Sequence, residues 1–303
     1  MSRVHLELCE LLLKEYYGEQ VAQVGTFLLK NIGSTLNSIT QRTSLETKQV
    51  KSILCALVQQ NIVRFRPLKP GITGYEASPD SVLWRLRFPS YIHCAKMLYG
   101  DAAELLVEEL LLQGQSHLDT AVMKTTKKLN DSIVSSGASL PEISHNVIKE
   151  KVVTLVKARL IRRCEGVKKD ENEKVVSLES HTDPNALFAL PTAEDFRPAT
   201  GSKRPQDAGP QGPAKRIKLE SGAAVGTSDQ EVPGTSSGPG YWCVNFHQFH
   251  HHFRDQAIIA AVSRNIDQRA SEVMRTMLRL SETRTDPTFS ESVHLSFTEV
   301  SIV

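Results

Sequence analysis

The sequence predicts a mainly α fold with short β-hairpin wings, arranged as tandem winged-helix domains of which the third is incomplete. Three observations carry this. Helical apolar stripes run directly into a short β-type segment with Pro and Gly turn chemistry. The same order recurs further along the chain. A Gly-, Pro- and Ser-rich stretch then separates those two units from one more pair of helical stripes. The expected organisation is a first winged helix over 1–80, a second over 81–168, a mostly disordered linker over 169–240, and the start of a third winged helix over 241–303.

In the first unit Val4, Leu8, Leu11 and Leu12 share a helical face and Gly18 offers a stop. Val21, Val24 and Leu28 form the next stripe. Ser34 to Ile39 reads as a short third helix, and Ser44 as the N-cap of a fourth. That fourth helix places Val50, Ile53, Leu54, Leu57 and Val58 at i, i+3, i+4, i+7 and i+8, the pattern of one buried face. Ile62 to Arg66 then reads as a strand, Pro67 to Gly74 as a turn, and Tyr75 to Ala77 as a return strand. Helices closed by such a hairpin describe a winged helix.

The second unit repeats the order. Leu105 to Leu112 is an apolar helix stopped near Gly114, Ser116 caps a helix through Val122, and a polar loop spans 130–142. Ser144 then caps a helix with Ile148, Val152, Leu155 and Val156 on one face. LVKARLIRR (155–163) lies over LVQQNIVRF (57–65), with Arg162 opposite Arg64. After the linker, Phe246, Phe249, Phe253 and Ala257 form one stripe. Ala270, Val273, Met274, Met277 and Leu278 form another, behind a cap at Asp267.

Charge narrows the function classes. Lys and Arg number 36 against 34 acids, a formal net charge of +2, so any polyanion binding must come from local clusters. On the recognition-type helices and wings these are Lys48, Lys51, Arg64, Arg66 and Lys69 in the first unit. Lys149, Lys157, Arg159, Arg162 and Arg163 are their counterparts in the second. Cations so placed suit salt-sensitive, non-specific phosphate contacts, while base-reading side chains at the helix starts are few. In the linker, Lys203-Arg204 followed by Lys215, Arg216 and Lys218 has bipartite nuclear-import spacing on an extended basic peptide.

Five cysteines without CxxC spacing point to a reducing compartment and to no structural zinc. His247 and His251 stand at i, i+4, but neighbouring phenylalanines claim that face for packing, so no metal is expected. Glu108-Glu109 reads as a helix-surface pair, and no stretch approaches the length of a membrane span. GxxxxGK[ST], GxSxG, HExxH and GxGxxG are absent, so no catalytic residue and no cofactor is expected.

Several segments resemble a known family. LCELLLKEYYGEQVAQVGTFLL (8–29), QVKSILCALVQQNIVRF (49–65), VLWRLRFPSYIHCAKMLYGDAAELLVEELLLQG (82–114) and FHHHFRDQAIIAAVSRNIDQRASEVMRTMLRLSE (249–282) look like the third-largest, specific subunit of eukaryotic RNA polymerase III, itself similar to the large subunit of TFIIE. The resemblance implies a run of winged helices followed by a coiled coil. It implies a non-catalytic nuclear subunit for promoter opening and initiation on genes for small non-coding RNAs, tRNA and 5S rRNA among them. The implied partners are the other polymerase III subunits, especially two smaller ones, the initiation factor TFIIIB, and promoter DNA bound as a single strand without sequence preference. Family members continue through the rest of the third winged helix, a fourth, and a coiled coil, so this chain is expected to be a shortened form. From the residues alone, a free-standing DNA-binding regulator and a winged-helix protein scaffold remain open.

Overall fold

The computed structural model describes residues 2–69, 72–135, 141–169, 175–178, 184–198, 240–284, 294–296 and 298. It is mainly helical with short antiparallel strands.

The first unit runs α1 (Arg3–Tyr17), α2 (Glu19–Lys30), β1 (Ser34–Thr35), α3 (Leu36–Thr43), α4 (Thr47–Gln59), β2 (Val63–Lys69) and β3 (Ile72–Ala77). Its sheet has the order β1-β3-β2. The α4 stripe buries as its period requires, with Val50 and Leu57 fully inaccessible. Several local expectations fail: Ser34 and Thr35 form β1 instead of opening α3, and of the expected turn from Pro67 to Gly74 the residues up to Lys69 continue β2 and those from Ile72 belong to β3. The α1 face is rotated: Cys9, Leu12 and Leu13 are buried, whereas Val4 and Leu11 are 71% and 63% exposed. Gly25 on α2 accommodates Leu13, since a Cβ there would lie 2.6 Å from Leu13 Cδ1. Ser44 is not a helix start. It ends α3 in the left-handed region, and α4 is capped instead by a reciprocal Glu46–Gln49 capping box.

The chain continues through α5 (Pro79–Leu83), whose Val82 completes the first core, and a 3-10 turn at Trp84–Arg87. The second unit then comprises α6 (Phe88–Tyr99), α7 (Asp101–Gln113), β4 (Ser116–His117), α8 (Leu118–Ser135), α9 (His145–Lys157) and β5 (Ile161–Arg163). Residues 130–135, expected in the polar loop, extend α8 instead. Glu109, expected at the surface, is 3% exposed and held by Lys124 and Lys128 of α8. Beyond β5 lie the hairpin strands β6 (Val167–Lys169) and β7 (Val175–Leu178), then β8 (Tyr241–Val244), α10 (Phe246–Asn265) and α11 (Gln268–Arg284).

Strand β8 corrects the expected boundaries at 168 and 241. It is the middle strand of the second sheet, order β4-β8-β5, with Ile161 opposite Val244 and Arg163 opposite Trp242. The first unit pairs Val63 with Ala77 in the same way. Asn61 and Arg159 both turn left-handed at the helix end, with φ of 57° and 58°. Ser78 N–H donates to Ile62 O, as Asn245 N–H donates to Leu160 O, each at 2.9 Å. Tyr241–Val244 is therefore the return strand of the second wing, with residues 165–240 inserted in sequence between it and β5. Trp242, Val244 and Phe249 belong to the second core, with Phe246 and Phe253 packed against it. The α10 stripe thus serves the second unit, and α10 with α11 forms a helical hairpin behind it. The expected cap is present there, Ala270 N–H donating to Asp267 Oδ1 at 2.6 Å.

The two units meet through the end of α4 and the end of α7. Gln60 Nε2 donates to Leu112 O at 2.9 Å, and Gln115 Nε2 donates to Asn61 Oδ1 at 2.6 Å. Arg85, 9% exposed, donates to Gln60 Oε1 at 2.7 Å and lies against the rings of Tyr17, Tyr16 and Phe88.

Candidate nucleic-acid interface

The helix-turn-helix pair α3–α4 and the wing β2–β3 present the first cluster. Packing of Val50, Ile53, Leu54 and Leu57 into the core turns Lys48 and Lys51 outward on α4. Alternation along β2 buries Val63 and exposes Arg64 and Arg66, with Lys69 exposed at the strand end. Arg66 faces Glu76 across the wing at 3.5 Å, a solvent-exposed pair worth little in water. Lys48, Lys51, Arg64 and Lys69 are exposed and make no ion pair among the described residues.

The second cluster differs although its scaffold repeats the first. Extending the frame that sets Leu155 over Leu57 puts Lys149 of α9 over Lys51 of α4. Lys149 is half-buried, its Nζ 5.3 Å from the centre of the Phe196 ring. The Arg159 guanidinium lies 5.7 Å from the Phe188 ring. Arg163 is sandwiched, 5.0 Å from the Trp242 ring and 2.7 Å from Asp195 Oδ2. Lys157 is exposed and Arg162 half-buried. Of the expected cations, Lys149, Arg159 and Arg163 are thus engaged by the chain's own residues 184–198. Lys203, Arg204, Lys215, Arg216 and Lys218 lie outside the described residues.

Residues 184–198 fall within the stretch expected to be a mostly disordered linker, although Ala186 to Leu190 is a short apolar piece in it. The signal that distinguishes them is local: Pro191-Thr192-Ala193-Glu194-Asp195-Phe196 forms a turn in which the Thr192 N–H donates to Asp195 Oδ2 at 2.8 Å and its hydroxyl at 3.1 Å. Asp195 is 2% exposed, and burial alone would raise its carboxyl. The Thr192 N–H, the Arg163 charge and the Thr192 hydroxyl outweigh burial and hold it below the ordinary carboxylate range.

The histidines have packing partners. His250 Nε2 lies 2.6 Å from Tyr91 Oη, and the rings of His247 and His250 both contact Trp84. Burial, then the positive charges of Arg162, His251 and Arg64, hold the His247 imidazole below its usual pKa. Among the described residues no helix is long and apolar enough to cross a membrane.

The family described as RNA polymerase III subunit RPC82 helix-turn-helix domain matches residues 7–67, from α1 through the first wing strand. The family described as RNA polymerase III subunit RPC82 matches residues 150–302, about half of the chain. The chain is 35% identical over 295 residues to DNA-directed RNA polymerase III subunit RPC3 of Bos taurus, an alignment covering 94% of this chain and 52% of that protein. It is 34% identical over 314 residues to the same subunit of Homo sapiens, covering 99% and 55%. For the Danio rerio subunit the values are 34% over 307 residues, again covering 99% and 55%. The chain spans about half the length of the curated relatives it matches.

Proposed function

The chain belongs to the RNA polymerase III subunit RPC82 family, and from that membership we propose that it is a non-catalytic subunit of that polymerase, acting in promoter opening and initiation. The observation that carries the nucleic-acid part is the first unit's face, where Lys48, Lys51, Arg64 and Lys69 project from α4 and the wing without ion-pair partners among the described residues. These groups fit the phosphates of promoter DNA, met as a single strand without base readout. The partners proposed are the other polymerase subunits, above all two smaller members of an initiation subcomplex, together with TFIIIB. Lys203, Arg204, Lys215, Arg216 and Lys218 are proposed to direct the chain to the nucleus.

One experiment tests these elements together. Tagged chain is expressed in cells, nuclear and cytoplasmic extracts are separated, and the chain is recovered from each with its partners identified. Polymerase III subunits are expected in the nuclear recovery, and their absence overturns the subunit reading. Replacing Lys215, Arg216 and Lys218 by Ala should shift the chain to the cytoplasmic fraction. Lys51→Glu with Arg64→Glu should weaken binding of the purified chain to single-stranded DNA at low salt. Unchanged affinity would favour the reading as a protein-interaction scaffold.

A further inference from the structure

The two winged helices carry a lysine at the same structural place and treat it differently. Lys51 on α4 is exposed, whereas Lys149 on α9 is half-buried with its ammonium over the Phe196 ring. The difference comes from residues 184–198, part of the insertion that interrupts the second wing between β5 and β8. The segment presents one carboxylate and two aromatic rings to three cations: Asp195 to Arg163 at 2.7 Å, Phe188 to Arg159, and Phe196 to Lys149. Its hold is specific. Asp195 is 2% exposed, fixed by the Thr192 turn, and Phe196 also packs against the second core.

We infer that residues 184–198 are an internal occupant of a single-stranded nucleic-acid surface on the second winged helix, displaced when a strand binds there. This rests on the reading of the chain as a nucleic-acid-contacting subunit. The chemistry matches term by term. A guanidinium nitrogen that donates to a carboxylate oxygen, as Arg163 does at 2.7 Å, can donate to a phosphate oxygen in the same way. Cations stacked on phenyl rings can stack on bases, and a single strand alternates phosphates with such flat faces. A duplex keeps its bases stacked on one another and offers only the phosphates.

The test uses the full chain and two probes, a single-stranded oligothymidylate and a duplex of equal length, titrated across salt concentration. Asp195→Lys places like charges at Arg163 and should release the segment. Asp195→Asn, which keeps the shape, is the milder version should the first fail to fold. Released chain should bind the single strand about tenfold tighter at low salt, the worth of one freed charge-assisted hydrogen bond. Its log K against log salt should steepen by about 2, for three added contacts at about 0.7 each. In the wild type, amide exchange in 184–198 should rise on saturation with the oligothymidylate. Unchanged slope in both variants, or undiminished protection of 184–198 in the saturated wild type, overturns the inference. An equal gain for the duplex overturns its single-strand part. Loss of binding by Lys51→Ala with Arg64→Ala reports on the first unit separately. A wild type that binds there, with variants indistinguishable from it, sinks this inference and leaves the proposed function standing. No binding by any form sinks this inference together with the nucleic-acid part of the proposed function.

Discussion

Glu109 shows what a single position does when helical period and partner geometry disagree. The carboxylate beside Glu108 looks like a surface group in the sequence, yet α7 turns it inward to 3% exposure, where Lys124 Nζ and Lys128 Nζ stand 2.8 Å and 3.2 Å from its oxygens. Burial raises its pKa, but the hydrogen bonds and charges of Lys124 and Lys128 prevail and hold it below the ordinary value. A carboxylate depressed in the folded state binds fewer protons there than when unfolded. Its contribution is therefore present above the unfolded glutamate pKa of about 4.3 and is lost as pH falls through the lower folded value. Glu109→Gln should lower stability by about 1–3 kcal/mol at neutral pH. Urea midpoints of the two forms should converge as the pH is taken below that window. Nothing in the apolar spacing of α7 announced this, because the lysines come from α8.

Strand β8 is the element on which the second unit depends. The repeat in LVQQNIVRF and LVKARLIRR was legible because αL turns and strand starts leave the same apolar spacing, and both units keep the same backbone hydrogen bonds there. The return strand of the second wing was not legible, because pairing of Arg163 with Trp242 spans an insertion and no local pattern encodes so distant a partner. Trp242, fully buried between β4 and β5, should cost about 3–5 kcal/mol when replaced by Ala. Amide exchange should then show loss of protection in α6 to α9 with the first unit retained. Equal loss in both units would mean that they do not fold separately. The candidate interface divides the same way: the cations were readable as exposed positions on helix and wing, but the aromatic and acidic partners of Lys149, Arg159 and Arg163 come from a remote segment.

At the scale of the whole molecule, the two units are held by a junction in which Gly114 has a special part. Its φ is 74°, and a Cβ there would lie 2.4 Å from Gln59 O and 2.7 Å from Gln60 Cα, both backbone atoms that cannot swing away. Gly114→Ala should destabilise the junction by about 3 kcal/mol through overpacking and left-handed strain. In calorimetry the transition of the second unit should move down relative to that of the first, and an unshifted profile would refute the coupling. By itself the sequence determined the winged-helix class, the duplicated α4 and α9 faces and the exposed places of Lys48, Lys51, Arg64, Arg66 and Lys69 on helix and wing. Each depends on short-range periodicity and turn chemistry, which neighbouring residues dictate. Only the tertiary structure decided which face of α1 is buried, that Tyr241–Val244 closes the second sheet, and that residues 184–198 engage Lys149, Arg159 and Arg163 of the second unit. Those outcomes depend on contacts between segments far apart in the chain, selected by shape and charge complementarity that exists only after the units have folded.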